Sequence, residues 1–225
     1  MPVVTGGEIP SYQVRRGRTG PTSRDALERL WPVYGIDPPY DGLVRSEYTV
    51  LEVGFGMGEA TALMAQAAPG VDVLAVEVHP AGIAALLRRL EKASLTNVRV
   101  VEGDAVDVLT ALPSSSLAEV RLFFPDPWPK QRHVKRRLLR ASFAALLADR
   151  LAPQGFLHLA TDWPAYAGHA REVLAEWDVE EDRRSRPPTA YERRALAAGR
   201  SAFDLVARPP RDVSAGGPEA GATST

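Results

Sequence analysis

The chain has 225 residues, no cysteine and a formal net charge of −1. Its length suits one substantial domain with short additions, and the lack of cysteine excludes disulfides, thiolate metal sites and cysteine nucleophiles. No apolar stretch is long enough for a transmembrane helix and no signal peptide is visible, so we expect a cytoplasmic protein without membrane contact. The four histidines lack metal-ligand spacing, so no metal is expected. Because the net charge is near zero, a polyanion site would require local clustering of cations.

The first predicted element is a helix over 23–35, capped by Thr22 or Ser23. From residue 48 onward, short apolar runs typical of buried strands alternate with helical patterns. The predicted strands are 48–54, 71–78, 97–104, 118–124 and 155–162, and the predicted helices between them are 59–68, 80–95, 105–113 and 138–153.

This alternation predicts an α/β fold with a doubly wound, mostly parallel, Rossmann-like sheet and an N-terminal helical extension. We expect an arm and helix at 1–36 and the main domain at 37–208. Residues 209–225 are rich in Gly, Ala, Ser and Thr, which predicts a disordered tail.

Alternate glycines follow the first predicted strand, in the sequence Leu-Glu-Val-Gly-Phe-Gly-Met-Gly, with an acid at Glu52 and glycines at Gly54, Gly56 and Gly58. A dinucleotide fingerprint requires G-x-G-x-x-G, and a carboxylate suits a pyrophosphate poorly. It does suit a ligand with a cationic end, such as the amino and sulfonium groups of S-adenosylmethionine. A tight strand–helix turn without a ligand is the alternative for this loop alone.

Acids also end the next two predicted strands. Glu77 can accept hydrogen bonds from two ribose hydroxyls, and Asp104 can accept one from an exocyclic amine such as that of adenine. Each acid alone is more often a solvated loop residue. Together with Glu52 they predict a nucleoside-binding site at the carboxyl edge of the sheet, without residues that would bind a phosphate. The pattern therefore favours S-adenosylmethionine over NAD.

The fourth predicted strand runs into Phe-Pro-Asp-Pro-Trp-Pro, residues 124–129. Three prolines restrict the backbone, so Asp126 and Trp128 are expected to be fixed before an acceptor arrives. Asp126 can accept from ring N–H or amino groups, and Trp128 can stack on a planar base or pack as a lid. The alternative is a proline-stiffened exposed turn.

Cations then accumulate with no acid between 127 and 148: Lys130, Arg132, Lys135, Arg136, Arg137 and Arg140. Further basic groups are Arg15, Arg16 and Arg18, and Arg183, Arg184 and Arg186. Such runs usually form a solvated face, but their clustering beside the predicted acceptor loop favours a nucleobase in RNA or DNA over a small molecule.

Four segments resemble the bacterial tRNA (guanine(46)-N7)-methyltransferases: LEVGFGMG, FPDPWPKQRHVKRRLL, ATDW and RPPTAYERRALAAGRSAFDL. The resemblance extends from about Tyr12 to Arg208. It implies the class I methyltransferase fold and transfer of a methyl group from S-adenosylmethionine to N7 of guanosine 46 in tRNA. It implies neither a metal nor an obligate protein partner.

The resemblance also implies residue roles. Glu52, Glu77, Asp104 and Asp126 correspond to donor contacts, and Asp126 is also the implied catalytic residue. The implied tRNA contacts are Lys130, Arg132, His133, Lys135, Arg136, Arg137, Asp162, Thr189, Tyr191 and Glu192. The chain departs from the family at Ala190-Tyr191, where Lys-Phe is usual, and at Gly199-Arg200, where Gly-His is usual. Alternatives are a methyltransferase for another RNA or a small molecule, and an RNA-binding module on a degenerate methyltransferase fold.

Overall fold

The computed structural model describes residues 12, 20–40, 43–44 and 46–210. The predicted arginine arm at 15–18 and the predicted tail beyond residue 210 lie outside the described residues. The strands are β1 (Gly35–Ile36), β2 (Thr49–Val53), β3 (Asp72–Glu77), β4 (Val98–Glu102), β5 (Leu117–Phe123), β6 (Leu151–Thr161), β7 (Asp178–Glu181) and β8 (Phe203–Arg208). The α-helices are α1 (Pro21–Tyr34), α2 (Glu59–Ala67), α3 (Pro80–Lys92), α4 (Ala105–Ala111), α5 (Ala141–Arg150), α6 (Pro164–Val173) and α7 (Ala190–Ala197), and Gln131–Arg136 form a 3₁₀ helix.

All eight strands form one sheet in the order β1-β4-β3-β2-β5-β6-β8-β7. Neighbours from β1 to β6 pair in parallel, whereas β8 runs antiparallel to both β6 and β7. The order reverses between β2 and β5, and ligands of such sheets bind beyond the carboxyl ends of the strands at this point. The predicted doubly wound, mostly parallel sheet is confirmed.

Two helical layers cover the sheet. One core cluster joins the sheet to α4, α5 and α6, and the other joins it to α1, α2 and α3. Ala26, Leu30 and Tyr34 of α1 are buried in the second cluster, together with residues of α3. The N-terminal helix therefore shares the core of the main domain. No described helix combines the length and the apolarity that crossing a membrane requires.

Several element boundaries differ from the sequence prediction. The first helix begins at Pro21 after Gly20, so Thr22 and Ser23 are not its cap; proline suits the first helical position because it needs no amide partner there. The helix predicted over 138–153 ends at Arg150, since Leu151 already pairs with Leu117. The elements β1, α6, β7, α7 and β8 were not predicted, and Gly35 of β1 was expected at the end of the first helix.

Candidate active site

A cavity of about 520 Å³ opens at the carboxyl edge of the sheet, over the ends of β2, β3 and β5. It brings together nine of the residues singled out in the sequence: Glu52, Gly54, Gly56, Gly58, Glu77, Asp104, Asp126, Thr189 and Tyr191. Another cavity, of about 560 Å³, lies at the amino edge near Ser46, Ser116 and Ala152, and none of the predicted site residues lines it. The chemistry therefore belongs at the carboxyl edge.

The glycine loop follows β2 with Gly54, Gly56 and Gly58 all at positive φ, between 59° and 71°. Side chains rarely adopt this conformation, which explains the glycines. The loop is also packed closely against α3, because a Cβ on Gly82 would lie 2.2 Å from the carbonyl oxygen of Gly56. The backbone of the loop thus forms one wall of the cavity without side chains in the way.

Glu52 on β2 is 3% exposed and lines the cavity. Its Oε1 accepts a hydrogen bond of 3.0 Å from the hydroxyl of Thr61, whereas its Oε2 is buried with no hydrogen-bond partner among the described residues. Burial raises the pKa of Glu52 to about 7, opposed by the charge of Arg121 and by the bond from Thr61. A buried carboxylate oxygen without a partner is costly, and a cationic ligand group would satisfy it.

Glu77 is held by the backbone around it. Its carboxylate accepts from the amides of Val78 at 2.8 Å, His79 at 3.1 Å and Gly56 at 2.9 Å, so it links the end of β3 to the glycine loop. A carboxylate has about four acceptor sites. Glu77 thus retains capacity for a hydroxyl donor in the cavity.

Asp104 is the N-cap of α4, where its side chain accepts from the amide of Val106 at 2.8 Å. Tyr12 also lines the cavity, and its pKa is raised by burial and by the charges of Asp104 and Asp107. The sequence alone predicts no role for Tyr12. Only the proximity of its ring to Asp104, which is a tertiary contact, points to one.

The proline-rich loop after β5 has two residues at positive φ, Phe124 at 52° and Trp128 at 43°. Asp126 between them is exposed and lines the cavity. Trp128, in contrast, is 5% exposed and packs edge-on against His133, with Arg136 over its ring at 4.9 Å. The expectation that Trp128 stacks on a base or closes a lid is therefore wrong. It anchors the loop, and Phe124 lines the cavity instead.

The cations after this loop divide into two groups. Lys130, Arg132 and Lys135 are exposed. Arg137 is 6% exposed, donates to the carbonyl of Pro127 at 3.0 Å and lies over the ring of Tyr166. In this arrangement Arg137 braces the loop and exposes little surface to solvent. The partly buried Arg136 contacts Trp128, as described above.

His133 is partly buried in the same segment. Desolvation and the neighbouring charges of Arg132, Arg136 and Lys130 lower its pKa. It is therefore neutral near pH 7 and adds no positive charge to the segment.

Asp162 follows β6 and accepts a bond of 3.0 Å from Arg200. Arg200 stands where the resembling family usually has His, and this ion pair gives it a structural role. Asp162 does not line the cavity. The structure thus places it beside the site, with its carboxylate engaged by the chain itself.

A buried ion cluster, which we call the Arg186 cluster, consists of Arg186, Glu192, Asp204 and His158. Arg186 donates to Asp204 at 2.5 and 2.7 Å and to Glu192 at 2.6 Å, and His158 contacts Asp204 at 3.1 Å. Arg183 also donates to Glu192. Burial would raise the pKa of Glu192, but the bonds from Arg183 and Arg186 hold it below its usual value.

The Arg186 cluster contains two residues that the sequence suggested for RNA binding, namely Glu192 and Arg186. Glu192 is 1% exposed and its carboxylate faces arginines, so the structure does not place it among tRNA contacts. In the basic group Arg183, Arg184 and Arg186, two of the three cations therefore neutralise buried acids. The cluster fixes the position of α7. The N-cap of this helix, Thr189, and its residues Tyr191 and Arg194 line the cavity.

Comparison with solved structures shows the fold. The chain is similar to a precorrin-6y C5,15-methyltransferase from Geobacter metallireducens, with a TM-score of 0.53 and 15% identity over 84% of this chain and 87% of that one. It is also similar to a SAM-dependent O-methyltransferase from Thermotoga maritima, with a TM-score of 0.51 and 14% identity over 88% of this chain and 69% of that one. Together with the strand order and its reversal, these similarities show the Rossmann-like class I methyltransferase fold.

Sequence comparison narrows the class. The family model described as "Putative methyltransferase" matches residues 46–205. A tRNA (guanine-N(7)-)-methyltransferase from Nitrosospira multiformis is 46% identical over 217 residues, which cover 89% of this chain and 94% of that protein. One from Methylococcus capsulatus is 44% identical with the same coverage. The chain belongs to the tRNA (guanine-N7)-methyltransferase family, as its motifs indicated.

Proposed function

We propose that this chain transfers a methyl group from S-adenosylmethionine to N7 of guanosine 46 in the variable loop of tRNA, in the cytoplasm. One observation carries the proposal. A single cavity joins the glycine loop and the unpartnered oxygen of Glu52 to Asp126 at the end of β5, in a chain 44–46% identical to enzymes of that name.

The residues of the cavity fit the donor. The free Oε2 of Glu52 would receive its cationic amino group, Glu77 one of its ribose hydroxyls and Asp104 its adenine amine. Gly54, Gly56 and Gly58 would allow close backbone approach. When bound, the donor supplies a methyl group on a sulfonium, which the N7 lone pair of guanine can attack, so that one positive charge passes to the purine.

Asp126 would orient the acceptor. Its exposed carboxylate can accept from the N1–H and the amino group of guanine, which fixes the direction in which N7 points. No proton has to leave N7 before attack, so the main task of the site is alignment. The carboxylate also stabilises the positive charge that develops on the purine, more in the transition state than in the ground state.

Lys130, Arg132 and Lys135 would hold the phosphates beside the target. They are exposed and follow Asp126 directly. In folded RNA the N7 edge lies in a deep, narrow groove that side chains cannot read. The guanosine must therefore be exposed or turned outward, at a cost of a few kcal/mol of unstacking.

The test uses tRNA transcripts and methyl-labelled donor. We expect label in a transcript with guanosine at position 46 and none when that nucleoside is 7-deazaguanosine, which lacks N7. A transcript with 7-deazaguanosine at another loop position is the matched control and should be labelled normally. Transfer to the 46-deaza transcript at the normal rate would refute N7 of this nucleoside as the acceptor.

A further inference from the structure

The cavity contains an aromatic ring that the chemistry proposed above does not use. Phe124 directly follows β5, is partly buried and lines the cavity two residues before Asp126. Its φ of 52° lies in the left-handed region, and its amide donates to the carbonyl of Ala160 at 2.7 Å. A bulky residue in this conformation is strained, and such strain occurs mainly where a site needs a fixed geometry.

The ring of Phe124 also has a fixed support. The guanidinium of Arg186 lies over it, 5.6 Å from its centroid. Arg186 is 6% exposed and bonded to both Asp204 and Glu192, so it cannot follow the ring if the ring moves. The buried cation thus covers part of Phe124, whose ring also lines the cavity.

We propose that Phe124 is the platform on which the acceptor purine stacks, with Arg186 as the positioning residue behind it. The proposal rests on the function proposed above and names the residue that receives the base. Aromatic side chains bind bases by stacking whatever the base, so Phe124 supplies affinity while Asp126, two residues on, selects the edge. Trp128, the aromatic residue that the sequence favours for this role, is buried and unavailable.

The first experiment measures affinity for tRNA transcripts carrying either guanosine or an abasic site at position 46. We expect Phe124→Leu to weaken binding of the guanosine transcript by about 5- to 150-fold, the range that base–aromatic stacking supplies. Binding of the abasic transcript should change less than twofold. Leucine at this position is as strained as phenylalanine, so the backbone is not relaxed by the change.

Two variants serve as controls. Phe124→Tyr retains a ring and should stay within about threefold of the wild type. Phe156→Leu removes a ring that also lies under a guanidinium, that of Arg184 at 4.2 Å, but outside the cavity; it should bind both transcripts normally. If Phe124→Leu does not fold, as judged by circular dichroism, Phe124→Met supplies the same comparison.

Two outcomes would overturn the inference. One is an equal loss for both transcripts, or no loss for either. The other is a Phe124→Leu variant whose affinity for S-adenosylhomocysteine, measured by calorimetry, falls as much as its affinity for tRNA, because the ring would then belong to the donor site. Failure of the proposed function can be distinguished from failure of this inference. It would appear in the wild type as methyl label at another atom or nucleotide.

Discussion

Glu52 is nearly inaccessible to solvent, yet one of its carboxylate oxygens has no partner among the described residues. Burial raises its pKa to about 7, whereas the Arg121 charge and the Thr61 hydroxyl lower it. At neutral pH the protein without donor therefore contains a mixture of protonated and ionised Glu52. A cationic donor group would favour the ionised form, so donor binding and the ionisation of Glu52 are coupled.

This coupling predicts pH-dependent donor affinity. At a pH below the Glu52 pKa of about 7, the donor must displace a proton from Glu52. At a pH above it, the carboxylate is already charged. We expect the affinity for S-adenosylhomocysteine to rise about tenfold between pH 6 and pH 8, as the ionised fraction rises. Calorimetry at both pH values measures this. Glu52→Gln should bind weakly at both, and an equally steep rise in this variant would show that another group titrates.

Residue patterns predicted the acids of the cavity but not the position of Phe124 in it. The ends of parallel strands meet at one edge, so Glu52, Glu77 and Asp104 could be grouped from strand assignments alone. The prolines at 125, 127 and 129 predicted a rigid loop. They could not predict its direction, because that depends on left-handed conformations at Phe124 and Trp128, which no local preference favours for aromatic residues.

At the scale of elements, the Arg186 cluster connects parts of the chain that are far apart in sequence. It joins His158 on β6, Asp204 on β8, and Glu192 on α7. The four side chains are between 1% and 8% exposed. Since α7 supplies Thr189 and Tyr191 to the cavity, the cluster determines where this part of the site lies.

Removing the central cation should be costly. Arg186→Met leaves Asp204 and Glu192 buried with much of their charge uncompensated, and breaking a buried pair in this way typically costs 3–5 kcal/mol. We expect a loss of about this size in urea unfolding at pH 7. Arg171→Met is the matched control, because Arg171 pairs with Glu181 at the surface, where a pair contributes less than about 1 kcal/mol. Equal losses in the two variants would contradict a special role for the cluster.

The same cluster explains why the C-terminal elements were not predicted. The central strands are apolar runs that are recognisable on their own, as in Thr49–Val53 and Asp72–Glu77. By contrast, β7 is an acid-rich edge strand, and three of the eight residues of α7 are charged. Their positions are set by β8 pairing and by ion pairs between distant residues, and neither leaves a hydrophobic period in the sequence.

The 3₁₀ helix and the residue before it provide a separate prediction. Lys130, Arg132 and Lys135 are its exposed cations, whereas Arg136 and Arg137 are engaged with aromatic rings. Changing the three exposed residues to Ala should flatten the slope of log affinity for tRNA against log salt concentration by about two to three, at ~0.7–0.9 per phosphate contact. Filter binding at salt concentrations from about 50 to about 300 mM measures this slope. Lys92→Ala, at the end of α3, should leave it unchanged.

At the scale of the whole molecule, elements near both ends of the described chain join the same sheet. Helix α1 buries Ala26, Leu30 and Tyr34 against α3, and β1 pairs with β4. At the other end, β8 lies between β6 and β7. The boundary predicted at residue 36 therefore separates segments in sequence but does not separate two cores.

Two N-terminal truncations test this arrangement. Deleting residues 1–19 removes the predicted arginine arm and Tyr12, so we expect weaker binding of tRNA and of S-adenosylhomocysteine with a thermal midpoint within about 2 °C of the full chain. Deleting residues 1–36 also removes α1 and β1, and with them the buried Ala26, Leu30 and Tyr34 of the second core cluster. Burying such a side chain contributes about 1.5–3 kcal/mol, so this variant should unfold well below the shorter truncation or fail to fold. Equal midpoints in calorimetry would show that residues 20–36 are dispensable for the core.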